Sequence, residues 1–156
     1  METQSSHQDF FEDGDSTALV CVEEQMLQNV VVEQLKELGY KIHSGLFGED
    51  VQLKLRTHAY DVIVVDENFG GFDIESNPVL REIAELPLNQ RRKQYVVIIG
   101  PGMITNDYMQ AFVHSADLVC NFSDLPNLRV VLRRGVLQHK QFYARLVECL
   151  QTAGMA

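Results

Sequence analysis

Between Lys93 and Arg129 this 156-residue chain contains neither Lys nor Arg. With a net charge of −9 and a pI near 4.9, that gap excludes a broad basic face for phosphate backbones or anionic membranes. Neither nucleic acid nor a membrane is therefore an expected partner. Cysteine is scarce. Cys21, Cys120 and Cys149 have no paired metal spacing, and an odd count on apolar segments predicts reduced, buried thiols in a cytoplasmic protein. The five histidines, His7, His43, His58, His114 and His139, are scattered and form no ligand pattern. No apolar run exceeds strand length, which excludes a membrane-spanning helix among them. The N-terminus lacks a basic flank followed by an apolar core, so no signal peptide is expected. No Ser-His or Cys-His signature is present, and Gly100-Pro101-Gly102 has the spacing of neither a dinucleotide fingerprint nor a P-loop. An enzyme is not expected.

What is present suits one domain. Hydrophobic residues make up 46% and charged residues 22% of the chain, ordinary values for a globular protein long enough to bury a core. Residues 1–16 differ: they are polar and acidic, with Phe10-Phe11 as the only strongly apolar pair. They predict a disordered acidic tail whose Phe10-Phe11 pair is a candidate docking motif. Residues 17–156 predict the folded domain.

In that domain strand and helix patterns alternate. Thr17 to Val22, Tyr40 to Phe47, Tyr60 to Val65, Tyr95 to Ile99 and Leu118 to Asn121 read as strands. Gln25 to Leu38, Glu49 to His58, a segment from Asn77-Pro78, Asn106 to Ser115, and Asn127 to about Gln151 read as helices. Gly39 is a helix stop, and Asn77 with Pro78 has the chemistry of a helix start. Five βα repeats predict an α/β, flavodoxin-like, doubly wound parallel sheet of order 2-1-3-4-5 with helices on both faces.

Acidic residues fall where such a sheet binds ligands. Glu23-Glu24 follow the first strand, and Asp66-Glu67-Asn68 close the third, at the carboxyl edge. Those two sites, their spacing and the five-repeat count resemble the receiver domain of bacterial response regulators over roughly residues 17–151. The resemblance implies that Asp66 is a phospho-acceptor candidate. It implies a weak Mg²⁺ site at Glu24, Asp66 and the Asn68 carbonyl, with Glu23 in support; no other cofactor is implied. It also implies a hydroxyl residue ending strand four and a Lys ending strand five. Gly100 and Asn121 stand there, so both switch positions are degenerate. Loss of the two removes charge stabilisation and readout together.

The bland reading of the acids is that Glu23-Glu24 favour a helix N-terminus electrostatically, and that Asp66 accepts a loop hydrogen bond. The last helix exceeds one inward apolar stripe. Arg133, Arg134, Phe142 and Tyr143 are candidates for a surface that meets a protein partner or a second copy. The expectation is a stand-alone degenerate receiver, a pseudo-receiver of two-component signalling that acts by protein–protein contact. The alternatives are a working receiver phosphorylated on Asp66 with Mg²⁺, and a small-molecule or nucleotide sensor using the strand-end crevice.

Overall fold

The computed structural model describes residues 8–154. Five parallel strands, β1 (Thr17–Cys21), β2 (Lys41–Ser44), β3 (Val62–Asp66), β4 (Tyr95–Gly100) and β5 (Leu118–Asn121), form one sheet. Their order is β2-β1-β3-β4-β5, as the repeat pattern predicts. Six helices connect or follow them: α1 (Gln25–Glu37), α2 (Gly48–Thr57), α3 (Pro78–Ala84), α4 (Leu88–Arg91), α5 (Tyr108–Val113) and α6 (Leu128–Thr152).

Central strands buried on both faces must be apolar at every position, and β1 and β4 are buried throughout. Alternate residues then feed opposite layers. Val20, Val64, Val97 and Ile99 meet Val31 and Leu35 of α1 and Leu128 and Leu132 of α6. Leu19, Ile63, Val65 and Val96 meet Val51 and Leu55 of α2, Val79 and Ile83 of α3, and Phe69. The register aligns strand ends at the carboxyl edge: Asp66 lies opposite Ile99, and Gly100 opposite Asn121.

Helix boundaries follow local chemistry. Asn77 caps α3 ahead of Pro78, and Gly39 takes φ +92° just after α1, a conformation that L side chains rarely adopt. Gly135 does not break α6, which runs through it. A Cβ there would overlap the Tyr95 hydroxyl, so the glycine admits the strand's ring against the helix.

Three expectations change. The second strand is shorter, because Phe47 leaves the sheet to precede α2. Cys21 and Cys120 are buried but Cys149 is exposed, since it lies on the solvent side of α6. The disordered tail over residues 1–16 is corrected over residues 8–16; residues 1–7 lie outside the described residues. Gln8 makes an antiparallel bridge to His43, and Phe11 stacks on the His43 ring at 3.9 Å. Burying that ring, together with the unpaired edge of β2, offsets the ordering entropy that composition alone left uncompensated.

Leu35, which joins α1 to the sheet, is fully buried. Leu35→Ala is expected to lower stability by about 2–5 kcal/mol. In urea denaturation this appears as a lower midpoint at an unchanged slope.

Candidate functional site

The carboxyl edge of the sheet carries the acidic groups, and one amide holds the loop they stand on. Asn77 is fully buried. Its Nδ2 donates to the carbonyls of Asp66 and Glu67, both at 3.0 Å. Its Oδ1 accepts the N–H groups of Val79 at 3.0 Å and Leu80 at 3.2 Å. The same side chain thus caps α3 and fixes the turn after β3.

Asp66 ends β3 half-buried, and its Oδ1 accepts the Asn68 N–H at 2.9 Å. Burial raises its pKa above the usual carboxylate value; the Asn68 N–H opposes this, and the charges of Glu67 and Glu23 add to the rise. Among the described residues no ion pair reaches Asp66, Glu67 or Glu23; Arg56 and Arg91 are paired instead with Glu82 and Asp117.

The other acids are occupied by backbone. Glu24 caps α1, accepting the Met26 N–H at 3.2 Å and the Leu27 N–H at 2.8 Å, one on each oxygen. Glu23 accepts the Gly70 N–H. The Asn68 carbonyl accepts the Gly71 N–H at 2.9 Å, and its side chain donates to the Phe72 carbonyl at 3.0 Å. A hard cation needs several oxygens converging at once. Among the described residues no group of three or more His, Cys, Asp or Glu side chains is arranged to hold a metal. Within the expected set Glu23, Glu24, Asp66 and Asn68, the oxygens of Glu24 and the carbonyl of Asn68 already accept N–H groups of their own loops.

The two positions expected to switch, Gly100 and Asn121, are engaged locally. Glu67, which follows Asp66, is only 8% exposed. Its carboxylate lies over β4's end, where Oε1 accepts the Gly102 N–H at 2.7 Å. A Cβ on Gly100 would fall inside that carboxylate. Glu67 therefore takes the space of the side chain that Gly100 lacks. Asn121 is equally committed. Its Nδ2 donates to the carbonyls of Met103 at 2.8 Å and Pro101 at 3.2 Å, and its Oδ1 accepts the N–H and hydroxyl of Ser123, both at 2.9 Å. It staples the loop after β4 to β5. Thr105 donates to Asp124 at 2.5 Å and accepts the Asn121 N–H at 2.9 Å.

With this geometry in view, the fold can be compared with known proteins. No family model matches the chain, and no characterised protein matches its sequence. Solved structures do. A chemotaxis response regulator of Vibrio cholerae superposes at TM-score 0.57 with 15% identity, over 78% of this chain and 98% of that one. A Francisella response-regulator receiver domain gives 0.60 and 16%, over 82% and 99%. The receiver domain of a Pseudomonas aeruginosa sensor histidine kinase, solved with magnesium in its active-site cleft, gives 0.61 and 19%, over 79% and 98%. The fold is the receiver fold.

On that receiver scaffold the structure brings Asp66 and Glu23 to one edge beside Glu67 and sets Gly100 against Asn121. Glu24 turns away to cap its helix. Of the surface candidates, Arg133, Arg134 and Phe142 are exposed on α6, whereas Tyr143 is half-buried. The sequence placed Asn77 as the α3 cap but showed neither its hold on the Asp66 and Glu67 carbonyls nor the role of Glu67. The signal for Glu67 was its pairing with a glycine at 100, legible only with the strand register in hand.

The raised Asp66 pKa sets a sign. Folding favours its protonated form, so its contribution to stability is present below the unfolded value, about 3.9. That contribution is lost as pH rises through the raised folded value. Asp66→Asn is therefore expected to raise the urea midpoint at pH 7.5, with the gain vanishing near pH 3.5.

Proposed function

We propose that this chain is a degenerate receiver, a pseudo-receiver that works as a signalling interaction module without phosphoryl switching, Mg²⁺ or catalysis of its own. The Glu67 carboxylate over Gly100 carries this reading. In a receiver the residue at that position responds to an added anion, whereas here a resident anion is already hydrogen-bonded at the end of β4. Among the described residues no cation balances a second negative group on Asp66, and placing a phosphoryl beside Glu67 and Glu23 adds like charge to a half-buried site.

The interaction surface is the outer face of α5. On this six-residue helix only Ala111 is buried. Met109 and Phe112 are 72% and 77% exposed, and Ile104, Tyr108 and Val113 are exposed beside them. Next to them on α6 lies the exposed Val130, and a groove of about 200 Å³ between the helices is lined by Tyr108, Val130 and Arg134. A contiguous apolar face of this kind marks contact with another protein. A helix this short buries one residue and presents most of the rest.

The test is intact mass after incubation with acetyl phosphate and Mg²⁺, comparing wild type with Asp66→Ala. Equal masses are expected. A phosphoryl adduct on wild type alone would restore the switch and sink this reading. Separately, Phe112→Glu is expected to abolish partner binding or self-association, measured by sedimentation, while shifting stability by no more than about 0.5 kcal/mol, as for a surface site.

A further inference from the structure

The segment before β1 makes a set of contacts that the receiver scaffold does not require. β2 is one of the two outer strands of the sheet, and residues 8–15 cover its free edge. The Asp9 N–H donates to the Ile42 carbonyl at 3.0 Å, and the Ile42 N–H donates to Asp9 Oδ2 at 2.9 Å. Gln8 Nε2 donates to the Ser44 carbonyl at 3.2 Å. The backbone groups that leave a strand edge open to foreign chains are thus met by side chains and backbone of this chain's own segment. Its far end is tied by Asp15, 3.0 Å from Lys41 Nζ.

One side chain joins the segment to the core. His43, on β2, is 8% exposed. Its Nε2 lies 2.9 Å from the Asp9 carbonyl and its Nδ1 2.8 Å from the Tyr60 hydroxyl. A carbonyl only accepts, so Nε2 carries the proton. Nδ1 then accepts from the buried Tyr60 O–H. Phe11 lies flat on the imidazole, 9° from parallel, and edge-on to His58 and Tyr60.

We propose that residues 8–15 are a strap closed in cis over the β2 edge, and that charging of the His43 imidazole releases it, freeing the edge and Phe11 together. A proton on Nδ1 makes the Tyr60 oxygen the acceptor and turns its O–H away, and among the described residues no second acceptor meets that buried hydroxyl. The groups around the ring set the balance. Burial disfavours the cation most, and His58 and Lys54 of α2 disfavour it further, while the Asp9 carbonyl and carboxylate favour it. Asp50 holds Lys54 at 2.9 Å, which blunts that cation's share. The net direction lowers the His43 pKa from its ordinary value, about 6.5. A site that prefers neutral imidazole has its stabilisation in full above the free value and loses it as pH falls.

The experiment uses the full chain and amide hydrogen-exchange protection factors, corrected for intrinsic rates, at pH 7.5 and 5.5. Wild type is expected to lose protection at Asp9 and Ile42 at least about tenfold on acidification, while β3 and β4 amides keep theirs. His43→Gln, a neutral donor to the Asp9 carbonyl, is expected to hold the strap at both pH values. Phe11→Ala is expected to open it at both. The proposal is overturned if wild-type protection at these two amides is the same at both pH values. It is equally overturned if His43→Gln loses protection in parallel with wild type, or if β3 and β4 amides open with the strap.

Discussion

The four hydrogen bonds of the buried Asn77 amide hold the carboxyl edge of this sheet in shape. Two anchor the carbonyls of Asp66 and Glu67, and two cap α3. With the backbone held there, Asp66 stays at the strand end and Glu67 is thrown across β4 onto the Gly102 N–H. Each partner satisfies a buried polar group that would otherwise cost about 1–3 kcal/mol. The loop's geometry and the helix's start are one structural unit, so a change at either is felt at both.

Above that unit the edge is closed by its own chemistry. Asn121 staples the loop after β4, Glu24 spends both oxygens on α1, and Glu23 and Asn68 face the short turn at Phe69–Gly71. Most of the acceptors and donors at this edge are hydrogen-bonded to backbone.

The architecture was legible because its signals are local. Continuous apolar runs such as Val62–Val65 and Val96–Ile99 encode buried parallel strands, and Asn77-Pro78 encodes a helix start. Asp66, Gly100 and Asn121 could be placed at strand ends for the same reason. What stayed hidden depends on residues distant in sequence. Glu67 meets Gly102 across 35 positions, and Phe11 meets His43 across 32; neither pairing has a periodicity. The polar composition of residues 8–16 argued for disorder because edge pairing to β2 is invisible without the sheet order. The outward turn of α5 depends on helix length, which local pattern sets poorly.

The close fit of Glu67 over Gly100 also ties the two positions together as mutational partners. Any side chain placed at 100 must first find the carboxylate gone, and removing the carboxylate alone leaves a hole at the end of β4. Introducing a hydroxyl-bearing residue at this strand end therefore runs in one order, with 67 shortened before 100 is filled. The two substitutions are non-additive by construction. Any barrier between the two arrangements is set by packing rather than by charge.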